Sequence, residues 1–278
     1  MFLSTTRKKL LAITTGLVAL VATGTMAPNA QAKDFTLDFE NVKTNADGTL
    51  ITTQWSHWGL TNISGVNDRT NQAAKLNTYN TAKKGRDNDL RTGNRWGTSN
   101  QGNVLIIQEE DGKSFRNGVY TADDEAKGGN INFDFNQAVK LNSFTLLDID
   151  DNGEGINFTG LGQDGTTAVD FNIDALITKL TSTYGTNHID AYNKSVTLNG
   201  VTMTQKSKKR HDNSMFEFSF ANTYVSNIDF FYPGSGAIAD LKWSTQDTTK
   251  VPEPAGVAAL FLTTGLAGRR LRQRKQIT

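Results

Sequence analysis

The feature that most constrains this chain is a period-two alternation of apolar and polar residues, repeated in short runs. Phe35, Leu37 and Phe39 alternate with Thr36, Asp38 and Glu40. Ile131, Phe133 and Phe135 alternate with Asn132 and Asp134, and Phe216, Phe218 and Phe220 with Glu217 and Ser219. Successive side chains of a strand point to opposite faces, so each run makes a half-buried strand with one apolar face. Gly, Asn and Asp separate the runs, and these are turn residues. Residues 104–107 form a solid apolar strand that ends in an acidic turn. Residues 143–149 make a further strand, following the Ile131 run after a short turn, and 225–232 and 237–243 complete the set. Residues 58–64 and 74–79 give weaker strand signals. Asn199-Gly200, flanked by alternating residues over 196–203, specifies a type I′ hairpin. One segment departs. Phe171, Ile173, Leu176, Ile177 and Leu180 have near-helical spacing, which predicts a helix over 174–182. The expected fold is all-β, an antiparallel β-sandwich of jelly-roll type with one short helix. No repeat with a period of about 20–50 residues runs through the chain, which excludes a solenoid or propeller.

The two ends read differently. Arg7, Lys8 and Lys9 precede an apolar stretch over 10–22, and Ala30 and Ala32 frame a small-x-small cleavage signal. Residues 1–32 therefore read as a signal peptide cut by signal peptidase before Lys33, with an uncleaved anchor as the alternative. At the other end Pro252, Glu253 and Pro254 precede an uncharged run over 255–268, then Arg269, Arg270, Arg272, Arg274 and Lys275. Fourteen helical residues reach roughly 21 Å at ~1.5 Å each, short of the ~30 Å hydrocarbon core. Snorkelling arginines extend that reach, and the cations hold this end in the cytoplasm. This three-part pattern over 251–278 resembles the PEP-CTERM sorting tail. The resemblance implies cutting by an exosortase-type membrane protease after transient anchoring in the inner membrane, then residence at the cell surface or outside the cell. An uncut C-terminal anchor is the alternative. Fold reasoning belongs to residues 33–250.

Of 29 cations and 28 acids, eight cations and one acid fall in the two ends, which leaves 21 against 27. The middle segment thus carries a net −6, which argues against nucleic acid as a partner. There is no cysteine, so an exported domain here does without disulfides.

Asp148, Asp150 and Asn152, followed by Gly153, match the first half of a calcium loop, with oxygens at alternate positions. Thr159 stands where an EF-hand has its bidentate glutamate, and a strand precedes the loop, so this is no EF-hand. An Asx-rich turn capped by its own side chains is the equal alternative. The clusters at 87–89 and 123–125 read as solvated loops. His57, His188 and His211 are scattered without metal-ligand spacing. Gly234-Ser235-Gly236 is not a hydrolase nucleophile elbow. Residues 206–210, a basic run, read as a solvated hairpin end whose one polyanion role would be contact with acidic polysaccharide. Trp55, Trp58, Trp96 and Trp243 are mostly core candidates. Trp96, set among Asn94, Arg95 and Gly97, is the best exposed and the candidate to stack on a sugar ring.

Several runs, among them 35–40, 102–109, 123–129, 146–150 and 234–241, are similar to an exported domain recurrent among PEP-CTERM proteins, a family without a defined activity. The outline also resembles jelly-roll carbohydrate-binding modules. That resemblance implies a structural Ca²⁺ between acidic residues of the first and last strands, places taken here by Glu40 (or Asp38) and Asp240. The expected function is a non-catalytic structural, adhesive or carbohydrate-binding role in exopolysaccharide or biofilm. The alternative is a glycosidase or lyase on the same fold, and a self-assembling surface protein is a third reading.

Overall fold

The computed structural model describes residues 32–42, 48–83, 88–109, 115–116, 119–149, 155–187, 189–209 and 212–245. The signal peptide, except Ala32, and the sorting tail with Pro252, Glu253, Pro254, Arg269 and Arg270 lie outside these residues, as do Ala30, Asp150 and Asn152. The chain is mostly antiparallel β-structure with one α-helix. Early strands are β1 (Asp34–Leu37), β2 (Leu60–Asn67), β3 (Gln72–Ala73), β4 (Leu76–Asn80) and β5 (Asn103–Ile107). A small separate hairpin, β6 (Phe115–Arg116) and β7 (Val119–Tyr120), follows. Then come β8 (Gly129–Leu147), β9 (Asn157–Leu161), β10 (Thr167–Asn172) and α1 (Ile173–Tyr184). The chain closes with β11 (Ser195–Leu198), β12 (Val201–Gln205), β13 (Met215–Tyr232) and β14 (Ala237–Thr245).

Two long strands organise the sheet. β8 has 19 residues and β13 has 18, and they pair along most of their length, from Met215↔Leu147 to Tyr232↔Gly129. The sequence predicts two strands in each place, with a short turn between those of the first; the structure has one continuous strand in each. Asn136, Gln137, Ala221 and Asn222 are exposed at the bends, and there the pairing shifts register, between Ser219 and Thr223 and between Val225 and Asn227, before it resumes in the same two strands. The bend follows from chain reach. Tyr232 pairs with one end of β8, and Ala237 pairs with Leu147 at the other. Five residue steps span at most about 17 Å, whereas 19 residues laid straight would span about 60 Å. Both strands therefore double over, and the sheet folds onto itself.

One layer holds β3, β2, the first half of β8, the second half of β13, β9 and β10. The other holds β4, β5, β14, the second half of β8, the first half of β13, β12 and β11, with β1 on the far part of β14. The apolar sides meet between the layers. Phe144 of the second layer lies 4.8 Å from Phe230 and 4.9 Å from Phe158 of the first, centroid to centroid. Each fully buried phenylalanine contributes roughly 1.5–3 kcal/mol, and edge-on pairs such as Phe144–Phe230 add to it.

Each open side of the folded sheet is closed by a different device. At the β10/β11 side lies α1. Asn172 caps it by accepting from the Asp174 N–H at 2.7 Å, and Ile173, Leu176 and Leu180 enter the core. Lys179 Nζ donates to Thr197 O and Tyr184 Oη to Ser195 O, so the helix covers carbonyls of edge strand β11. The observed helix brackets the predicted one. At the β2/β4 side a buried polar network does the work. Asn67 Nδ2 donates to Glu125 Oε2 at 3.1 Å, Arg69 Nε donates to Glu125 Oε1 at 2.8 Å, and Arg69 Nη2 reaches Glu109 at 2.7 Å. Asn77 Nδ2 donates to Gln108 Oε1 at 2.6 Å. The Asn-Gly turn between β11 and β12 is as expected, with Asn199 at φ 49° and Gly200 at φ 81°.

The Glu125 side chain is fully buried, while Arg69 remains about a third open. Removing Arg69 strands a buried carboxylate, a loss of 3–5 kcal/mol for a fully buried pair. Arg69→Ala is expected to lower stability by about 2 kcal/mol, less because of its solvent contact, and adding Glu125→Gln should recover part of it. Denaturant melts check this; an unchanged midpoint in Arg69→Ala would show that the network is not what closes this side.

Candidate functional site

A concave site forms where the excursion between β4 and β5 meets the β12–β13 turn. Threonine hydroxyls draw the excursion together: Thr92 Oγ1 donates to Thr81 Oγ1 at 2.7 Å, and the Gly93 N–H donates to Thr98 Oγ1 at 2.6 Å. Leu90 is fully buried against Val104, Met215 and Ala239 on the outer face of the second layer, which anchors the segment to the sheet. From the β12–β13 side, Asn213 adopts a left-handed φ of 64° and its Nδ2 donates to the carbonyls of Asn88, Asp89 and Arg91 at 2.8, 2.5 and 2.9 Å. Asparagine tolerates that backbone region better than other polar residues, and here its amide pins a loop. The Lys208 N–H donates to Trp96 O at 3.1 Å. A side chain at Gly97 would meet Lys208 Cγ at 2.5 Å, so glycine there admits the lysine stem.

Between these loops is a cleft of ≈590 Å³ lined by Arg91, Arg95, Trp96, Asp89 and Asp212. Asn88 and Asn213 complete its wall. Trp96 sits half-exposed in a single turn of 3₁₀ helix, Asn94–Trp96. Arg91 Cζ lies 4.9 Å from its ring centroid and Arg95 Cζ 5.5 Å, within cation–π range. An aromatic ring beside convergent polar groups is the usual make-up of a ligand cleft.

The other tryptophans fall elsewhere. Trp55 and Trp243 are core residues, as most tryptophans were expected to be. Trp58 is half-buried beside Phe35 at 5.9 Å and Trp243 at 6.4 Å, and exposed His57 packs on it.

The first and last described strands do lie side by side, with Asp34↔Ser244 through Leu37↔Leu241 in register. This carries Asp38, Glu40 and Asp240 to one end of that pair. Glu40 Oε1 accepts from the Asn103 N–H at 2.6 Å and occupies the space a side chain at Gly102 would need. Asp38 Oδ1 accepts from the Glu40 N–H at 3.2 Å. Asp240 lies 3.5 Å from Lys242 Nζ. Among the described residues no three His, Asp or Glu side chains converge to hold a metal ion. Asp148 is fully buried at φ 53°, with Ser235 Oγ donating to Oδ2 at 3.1 Å, a turn conformation.

A polar face escaped the sequence reading. On the outer side of the first layer, Asn62 and Asn227 both donate to Asp134, at 3.2 and 2.7 Å, and Asn130 donates to Asp229 at 3.0 Å. Burial raises the Asp229 carboxyl above its ordinary value although the amides of Asn130 and Asn132 favour its charge. The signal was there in Asn130, Asn132 and Asp134, the polar half of an alternation read only for its apolar half.

No family model matches the chain, and no curated protein and no solved structure matches it either. Among the described residues no helix is long and apolar enough to cross a membrane.

Burial raises the Asp240 carboxyl above the ordinary range, outweighing Lys242 and Thr145, which favour its charge. A raised folded-state value favours the fold below the unfolded value, and that advantage is lost as pH rises through the folded one. Asp240→Asn is therefore expected to melt above wild type at neutral pH without divalent cations. The gap should close as pH falls below the ordinary carboxylate range. A variant melting lower at neutral pH would show that the pairing with Lys242 outweighs burial. If millimolar calcium lifts wild type but not the variant, Asp240 is a calcium ligand.

Proposed function

We propose that this is an exported protein whose β-domain binds carbohydrate without catalysis, in a structural or adhesive role in exopolysaccharide or biofilm. The observation that carries the reading is the cleft. The tryptophan singled out by sequence for sugar stacking is half-exposed on its wall, held on a loop anchored by Asn213. Aromatic rings contribute contact area at low entropic cost, and polar neighbours orient a ligand. We read the folded sheet as a β-sandwich of jelly-roll type. Residues 1–32 serve as its signal peptide, and 251–278 as a tail cut by an exosortase-type protease. A structural Ca²⁺ at the joined ends of β1 and β14, with Glu40 and Asp240 among its ligands, belongs to the same reading; the burial of Asp240 gives a cation something to relieve.

The enzyme alternative needs an enclosed acid pair. The cleft does hold Asp89 and Asp212, but Asp89 is only half-buried and Asp212 is exposed.

The test is a polysaccharide array probed with the protein purified from its host, beside Trp96→Ala. Losing one stacking ring typically costs about 1–3 kcal/mol, so binding is expected to weaken about tenfold or more with no shortening of the polysaccharide. Equal binding by the variant would remove the cleft from the account, and chain cleavage would establish the enzyme. Intact mass of the same material is expected to lack both ends; a mass that includes Thr278 would leave an uncut anchor.

A further inference from the structure

We infer that the cleft at Trp96 is selective for acidic polysaccharide, chains whose sugar rings carry carboxylates. This rests on the carbohydrate reading above and adds the charge of the ligand. By sequence the basic run at 206–210 is a solvated hairpin end, far from Trp96. The fold brings them together: the Lys208 N–H donates to Trp96 O, and the lysine stem packs over Gly97. Lys208 and Lys209 are both exposed beside the cleft loop. From the other side Arg91 and Arg95 set their guanidinium groups 4.9 and 5.5 Å from the indole centroid. Two guanidinium groups thus flank one half-exposed aromatic ring, and the adjoining loop adds two exposed lysines at the rim, with Lys208 Nζ 5.5 Å from the Tyr192 ring centroid, in a segment with an excess of acids over bases.

That placement is what a stacked uronate needs. The sugar ring lies against the indole while its carboxylate meets a guanidinium fork, whose planar donors match a carboxylate better than an ammonium does. Asp89 and Asp212 also line the cleft and cancel the two arginines in formal charge. Lys208 and Lys209, exposed on the adjoining loop, tip the balance at the rim, and the two acids are suited to accept from sugar hydroxyls. Against a negative domain, a local concentration of cations also steers an anionic chain to this one place.

The experiment measures binding of the full chain to polygalacturonate, dextran, dextran sulfate and duplex DNA, at low and high salt. Polygalacturonate is expected to bind about tenfold or more tightly than dextran, and the advantage should shrink as salt rises. Arg95→Gln with Lys208→Gln, both exposed, is expected to abolish that advantage at an unchanged melting temperature. Trp96→Phe should retain most binding and Trp96→Ala should lose it. Equal binding of dextran and polygalacturonate overturns the inference and leaves the carbohydrate reading standing. Binding of no polysaccharide overturns both. Equal binding of dextran sulfate or DNA reduces the site to general attraction for polyanions and overturns it. So does a double variant that still prefers polygalacturonate.

Discussion

The pairing of β8 with β13 is the interaction on which the rest depends. Each strand is long enough to serve both layers, so one ladder runs from the first layer around the corner into the second. Every other element of the main sheet is placed by reference to it. β2 and β9 flank its first half, β14 and β12 its second, and β5 and β4 follow β14. The phenylalanines of the core stand on this pair and its neighbours, so their burial and the pairing reinforce one another. Without cysteine the domain has no covalent staple, and a shared ladder does part of that work by making the layers open together.

A folded sheet still leaves two open sides, and the chain closes them by different physics. The α1 side is closed by apolar burial plus two donors that occupy carbonyls of β11. The other side is closed by Arg69, Glu125, Asn67, Gln108 and Asn77, a network whose members are mostly buried. Such networks favour the fold when complete and cost heavily when one member is missing. The covered β11 edge also removes the exposed, uncharged edge strand that a self-assembling surface protein would offer there.

Local pattern made much of this legible. The Phe216, Phe218 and Phe220 alternation, the Asn199-Gly200 turn and the Ile173, Leu176, Leu180 spacing each describe neighbours in sequence, and each is found in place. What failed was continuity. Asn136, Gln137 and Asn222 look like breaks, because an exposed polar corner and a turn share these residue types. β9 and β10 were not read as strands, since Gly160, the exposed Ala168 and the half-buried Val169 blur the period. Trp96 stood out from its polar neighbours, but the cleft around it was invisible. Asn213 and Lys208 reach it across the fold, and no local period encodes that approach. Asp38, Glu40 and Asp240 were placed together by resemblance, and the β1–β14 register does bring their strands side by side.

The cleft inherits its rigidity from the same ladder, since Asn213 lies just before β13 and Leu90 packs on the outer face of the second layer. Amide hydrogen exchange tests the shared ladder most directly. If one continuous pair holds both layers, amides of β8 at Ile131 and Phe133 and those at Phe144 and Leu146 are expected to exchange only through global unfolding, with the same free energy of opening. Openings that differ by more than about 2 kcal/mol between the two halves would mean that the layers separate independently, and would contradict the account.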